Sequence, residues 1–328
     1  MSEKTKFNAL TDHHDFHEVV DKLFAALRPQ KQKISFFNAL SAQKREELTT
    51  AFNRTSMARG TFLQYMEDLA KLIGHKYVTD FVILDSPKDL EKAAEKMFDE
   101  DRNMHDLNRG RVLFTSYEQY ELFIRRFVQK KGSKKFHEKW QDKITIIEGK
   151  QDDYLKKCRE SGYAGAYHFD VQVDCGKDQK CAELEIQMMP KDMVDTYDLS
   201  HHLYDLIRVI EYESKKRDLS DAENTVLRAL ITANTALWDL AAINTGFIQA
   251  RERPRPEYIS EQDYAEASTL ITVFQGRLYA NDEDKRTKKE HGLIEALEEA
   301  SYALNAVYHL QKQHRPDMPR GLDETLEN

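Results

Sequence analysis

Residues 158–190 read CRESGYAGAYHFDVQVDCGKDQKCAELEIQMMP, and two runs within them alternate strictly. Side chains along a strand point to opposite sides in turn. In the first run this puts Tyr167, Phe169, Val171 and Val173 on one face and His168, Asp170 and Gln172 on the other. In the second, Ala182, Leu184, Ile186 and Met188 oppose Glu183, Glu185 and Gln187. The polar stretch GKDQK between them supplies a turn. The segment therefore predicts a β-hairpin with one apolar and one polar face. Any antiparallel sheet with one wet face alternates in this way. The pattern alone leaves open whether the polar face is a wetted surface or a floor for chemistry.

Upstream, the hairpin closes a longer alternation of strands and helices. HKYVTDFVILD predicts a strand with Val78, Phe81, Val82, Ile83 and Leu84 at its core. SPKDLEKAAEKMFDE predicts a helix, with Ser86 as N-cap and Pro87 at the first helical position. RGRVLFTS reads as a second strand, YEQYELFIRRFVQKK as a helix, and KITIIEG as a third strand. The expected fold class is α/β (α+β): a mixed sheet of about five strands with helices packed on it, over residues 76–210. Helical regions flank it at 1–75 and 211–328, carried by apolar spacings of three and four residues. Ser220 and Glu223 form a capping-box pattern at the head of one long helix, and Ser260 caps another. The Leu-, Ala- and Ile-rich helices after residue 218 suit a homo-oligomer interface.

Composition narrows the classes. The chain has 328 residues, is 40% apolar and 32% charged, and carries a formal net charge of −8. This is a globular composition. No apolar run approaches the roughly 18–20 residues that span a bilayer, and MSEKTKFNALTDHHDF lacks the apolar core of a signal peptide. Neither a membrane nor export is expected. Three cysteines (Cys158, Cys175, Cys181) give no disulfide framework, which fits a cytoplasmic protein. Cys175 and Cys181 flank the hairpin turn, but two thiols without a nearby histidine make a poor zinc site. The negative balance argues against broad nucleic-acid binding, while a local basic patch remains able to meet phosphate. No Gly-rich phosphate loop, Gly-x-Ser-x-Gly elbow or His-Glu-x-x-His helix occurs.

Against this frame one ordered set of residues stands out. Asp153-Tyr154-Leu155, Arg159, Gly162-Tyr163, His168 and Glu185-Ile186-Gln187 follow one another, with DLNRGRVLF upstream and SHHLYDLIR downstream. The set resembles the RelA/SpoT-type nucleotide pyrophosphokinase (alarmone synthetase) domain, without its hydrolase domain. The likeness implies pyrophosphoryl transfer from ATP to the 3′ hydroxyl of GDP or GTP with Mg²⁺. Asp106 and Glu185 would hold the metal, with Glu185 near the attacking hydroxyl as a base. Arg111 would stack on adenine and Tyr163 on the acceptor base. Arg159 and His168 would contact the acceptor or its phosphates, and Gln187 would orient its neighbour. An adenine nucleotide or the tRNA 3′ end is an alternative acceptor, tRNA requiring a basic surface. A degenerate nucleotide sensor or scaffold is the reading without chemistry.

The chain departs from that family's pattern in three places. The first strand lacks the Arg-x-Lys that grips ATP; Lys88, Lys92 and Lys96 recur at four-residue spacing on the next helix and can meet phosphate or form ordinary Glu–Lys pairs. Four residues rather than three separate Tyr163 from His168, which calls for an extra turn residue near Gly165. Met188-Met189-Pro190 stands where Ile-Arg-Thr often follows.

Overall fold

The computed structural model describes residues 14–27, 35–74, 90–100, 107–175, 182–247, 259–280, 283 and 286–313. The chain divides into two compact units, one around the sheet and one of helices.

The helical unit begins with α1 (His14–Leu27), and the sheet unit follows with α2 (Phe36–Ala39), α3 (Ala42–Leu72), α4 (Leu90–Glu100), β1 (Arg109–Phe114), α5 (Tyr117–Phe123), α6 (Lys134–Trp140), β2 (Ile144–Asp153), β3 (Tyr167–Val173) and β4 (Ala182–Pro190). The helices α7 (Val194–Ser214), α8 (Asp221–Asn244), α9 (Glu261–Tyr279) and α10 (Lys288–Gln313) complete the helical unit. The strands pair in the order β1-β4-β3-β2, with β1 parallel to β4 and the other pairs antiparallel. This is the mixed α+β sheet expected. The strand expected at 76–84 lies outside the described residues.

The register follows from the alternation. Tyr167 pairs with Met188, Phe169 with Ile186 and Val171 with Leu184, so the apolar side chains of β3 and β4 share one face. All six are buried. That face is covered by α3 and by α5, which runs on into a single π-helical turn, Ile124–Val128. Phe123 packs edge-on against Tyr167 at 5.0 Å, and Phe127 meets Phe169 at 4.9 Å. Fully burying one such side chain contributes about 1.5–3 kcal/mol. Among the described residues α6 is a helix the sequence reading did not mark; Trp140 anchors it by donating from Nε1 to Asp68 at 3.1 Å.

In the helical unit, α8 packs against α9, α10 and α1. Ser220 accepts from the Glu223 amide while the Glu223 side chain accepts from the Ser220 amide, the capping box expected there. Ser260 accepts from the Asp263 amide at the head of α9. By length and composition α8 is apolar enough to cross a bilayer, and 61% of that window is buried inside the unit. Its hydropathy is that of a bundle's central helix. The two units cut across the divisions at 75 and 210: α2 and α3 belong with the sheet, and the chain from 195 belongs with the helices, as does the short segment 158–164.

Gly110 marks where α3 comes closest to β1. A Cβ there would lie 2.5 Å from Met66 Cε and 3.0 Å from Phe62 Cε1, both on fully buried side chains. We expect Gly110→Ala to destabilise the protein by about 1–3 kcal/mol through overpacking, read as a lower urea midpoint with unchanged slope; an unaltered midpoint would mean that α3 yields freely.

Candidate functional site

The polar face of the sheet is a small grid. Cross-strand pairing sets Arg109, Glu185 and Asp170 in one row and Arg111, Gln187, His168 and Asp152 in the next. Glu185 is the hub. Its Oε1 accepts from Gln187 Nε2 at 2.7 Å and lies 3.9 Å from Arg109 Nε, while its Oε2 lies 3.8 Å from His168 Nδ1. Gln187 in turn accepts from Arg111 through Nε at 3.4 Å and Nη2 at 3.3 Å. Arg111 and Gln187 are 3% and 2% exposed, so this pair is a fixed support, whereas the Arg109, His168 and Glu185 side chains keep 16–27%. A guanidinium, a carboxylate and an imidazole thus converge on one partly wet patch. Such groups can clamp phosphate, receive a proton and position a hydroxyl.

The structure brings together four of the residues singled out from sequence: Arg111, His168, Glu185 and Gln187. It adds Arg109, two residues before Arg111 on the same face of β1, and Asp170, directly opposite Glu185. The signal for Arg109 was the two-residue period itself. Asp106 and Lys88 lie outside the described residues. Lys92 is exposed on α4, and Lys96 lies in the same helix.

Arg159 and Tyr163 fall in the 158–164 segment, folded with the helical unit. The Tyr163 ring stands edge-on to Trp238 at 5.0 Å and to Tyr197 at 6.2 Å. Asn234, fully buried, donates to the Ser161 carbonyl at 2.8 Å and accepts from Ser200 Oγ at 2.7 Å, and Ser200 accepts from Trp238 Nε1 at 2.9 Å. Gly162 has φ +83°, and a Cβ there would lie 2.5 Å from Thr235 Oγ1. The Gly-Tyr pair is thus seated on α8 by close backbone approach and a buried hydrogen-bonded network.

Asp153, first residue of the motif Asp-Tyr-Leu, pairs with Tyr167 and so sits on the face opposite the grid, accepting from Tyr120 Oη at 2.8 Å. Burial raises its carboxyl above the ordinary value of 3.8, outweighing the Tyr120 bond and the Lys156 charge and amide that lower it. Burial likewise raises the Tyr120 hydroxyl, helped by the Asp153 charge, and pushes Tyr167 up to about 12. Asp152 and Tyr154 face the grid side instead: Tyr154 stands edge-on to His168 at 5.1 Å and donates to Asp152 at 3.0 Å.

A hard cation such as Mg²⁺ takes oxygen ligands and is usually held by one or two carboxylates with substrate phosphates. Glu185 and Asp170, side by side across β3 and β4, fit that donor chemistry. Among the described residues no group of three or more His, Cys, Asp or Glu is arranged to hold a metal by itself.

No family model matches the chain, and no curated protein does. Among solved structures, it is similar to small alarmone synthetase 1 from Bacillus subtilis bound to its product pppGpp, with 15% identity over 58% of this chain and 93% of that one and a TM-score of 0.38. It is similar to small alarmone synthetase 2 from Bacillus subtilis at 15% identity, covering 63% and 100% of the two chains, with a TM-score of 0.35. A GTP pyrophosphokinase family protein from Streptococcus pneumoniae shows 18% identity, 64% and 97% coverage and a TM-score of 0.35. At these TM-scores the likenesses carry no argument about chemistry, which rests on the side chains above.

Two outcomes are expected. Gly162→Ala should cost roughly 2–4 kcal/mol, from a left-handed alanine and the collision with α8 together; thermal and urea melts read it. For Asp153 the folded carboxyl is raised, so its contribution to stability is present below the ordinary value and lost as pH rises through the folded one. Asp153→Asn, which mimics the protonated group, should therefore gain on the wild type between pH 4 and pH 7. Parallel pH dependences of the two urea midpoints would refute this.

Proposed function

We propose that the polar face of the sheet transfers the pyrophosphoryl group of ATP to the 3′ ribose hydroxyl of a guanine nucleotide, GDP or GTP. The observation that carries this reading is Glu185, fixed through Oε1 by Gln187 and left with Oε2 facing His168 across 3.8 Å. That separation is longer than a hydrogen bond, and a hydroxyl set to one side of the pair can meet both carboxylate and imidazole at hydrogen-bond distance. Glu185 takes the hydroxyl proton as the oxygen attacks the β-phosphorus of ATP. The new bond joins the 3′ oxygen to that phosphorus, the bridge from the α-phosphate breaks, and AMP leaves. Arg109, the more exposed of the two arginines, neutralises the phosphate oxygens, and Arg111 holds Gln187 and through it the carboxylate. Lys92, on α4, is a further cation for the triphosphate. Glu185 and Asp170 would hold Mg²⁺, which would supply neutralisation of phosphate charge.

Thin-layer chromatography of the protein with Mg²⁺ and γ-³²P-ATP, offering GDP, GTP, ADP and bulk tRNA separately, tests this. Label is expected in the GDP or GTP lane. Label with ADP or tRNA alone would keep the reaction and overturn the acceptor; four blank lanes from folded protein would overturn the reaction and leave a nucleotide-binding module. Glu185→Gln should lower the rate by about 10²-fold or more, the lower end of a general base's contribution, with an unchanged melting temperature.

A further inference from the structure

The corner between α5 and α6 carries a charge density at odds with the rest of the chain. Residues 125–143 hold eight of the 49 lysines and arginines but only two of the 57 acidic residues, in a chain of net charge −8. The segment is one compact piece of the sheet unit. The Lys131 amide donates to the Arg125 carbonyl at 2.9 Å, and Ser133 Oγ and His137 Nε2 both reach the Arg126 carbonyl, tying the start of α6 to the π-helical turn. Three of the cations have structural roles. Arg126 donates to the Leu72 carbonyl at 2.6 Å, Lys139 pairs with Asp68, and Lys134 stands 3.5 Å from Glu138. Arg125, Lys130, Lys131, Lys135 and Lys143 are exposed and have no acidic partner among the described residues.

Stability does not account for this choice of residues. Lys130 has φ +55° and is the one non-glycine residue with positive φ among those described; glycine or asparagine adopts that conformation with less strain. Lys134 and Lys135 occupy the first turn of α6, which has no acidic residue there, although that end of a helix favours negative charge. Cations held by a rigid corner against local preference suit a partner of regularly spaced negative charge. The patch has one exposed large apolar side chain, Val128, too little to embed in a bilayer.

We propose that this corner docks the sugar–phosphate backbone of a nucleic-acid strand, through Arg125, Lys130, Lys131, Lys135 and Lys143 and without reading its bases. The surface is independent of the transfer reaction proposed above. Binding of this kind is weak and strongly salt-dependent, each phosphate neutralised on a single strand adding about −0.7 to the slope of log K against log salt.

The test is fluorescence anisotropy of the full chain with 5′-labelled (U)30 RNA and (T)30 DNA between 50 and 200 mM salt, beside flotation with vesicles containing phosphatidylglycerol. Two variants of equal charge are compared. One carries Lys130→Gln, Lys131→Gln, Lys135→Gln and Lys143→Gln; the control carries Lys22→Gln, Lys215→Gln, Lys288→Gln and Lys289→Gln. The wild type and the control should bind (U)30 or (T)30, the two arms telling ribose from deoxyribose, and the corner variant should bind at least tenfold more weakly with a shallower salt slope. Equal losses in both variants, no binding by the wild type at 50 mM salt, or flotation with vesicles in place of strand binding would overturn the proposal. Should the fourfold variant melt early, Lys131→Gln and Lys135→Gln singly are each expected to make the slope shallower by about 0.7, and unchanged slopes in both would have the same force.

Discussion

The two-residue period of β3 and β4, pinned by burial of one face, is the constraint on which the site depends. Phe169, Val171, Leu184 and Ile186 are completely buried, with α3 and α5 packed on their face of the sheet. A slip of one residue would turn every one of them outward. Because that slip is so costly, the opposite face is fixed without contacts of its own having to fix it: Glu185 must stand between Arg109 and Asp170, and Gln187 between Arg111 and His168. The parallel pairing of β1 with β4 brings the arginine row alongside the carboxylates. An antiparallel sheet made of the hairpin and β2 alone would lack both guanidiniums.

Within the grid, burial sorts support from action. Arg111 and Gln187 are almost fully enclosed and hydrogen-bonded to one another, a geometry that resists reorientation. Glu185 stands 3.9 Å from Arg109 and 3.8 Å from His168, near enough to interact without a direct hydrogen bond between them. Preorganised charge of this kind is the main means by which a protein assists phosphoryl chemistry.

Much of this was legible in the sequence, and the reasons differ by element. The hairpin could be read because alternation over seven residues is unambiguous, and the capping box because Ser220 followed by Glu223 has one common physical cause. α6 was not legible: KKFHEKW is short, strongly charged, and held by Trp140 and Phe136 packing on residues distant in sequence. Asp153 was singled out only as the first residue of the Asp-Tyr-Leu motif, and the strand's pleat sends it to the face opposite Glu185. The extent of β2 was also hidden, since its pairing with β3 is interrupted between Ile146 and Gln151 and a bulge has no simple sequence period. Domain limits were drawn where helical spacing gives way to strand alternation and returns, while α3 takes its place from an apolar stripe, including Phe62, Met66 and Leu69, that has no meaning until the sheet is present.

The seven residues 158–164 are folded with helices that lie at least 30 residues further along the chain, while their neighbours on both sides belong to the sheet. The two units are therefore interleaved in the gene, and no single cut separates them. A fragment ending after β4 would keep the strands but strand Ser161, Gly162 and Tyr163 without Asn234 and Trp238, with an unpaired carbonyl and an aromatic ring turned to water. Recombination that exchanged the helices for another set would have to reinvent that seat, so the two halves of this protein are bound to change together.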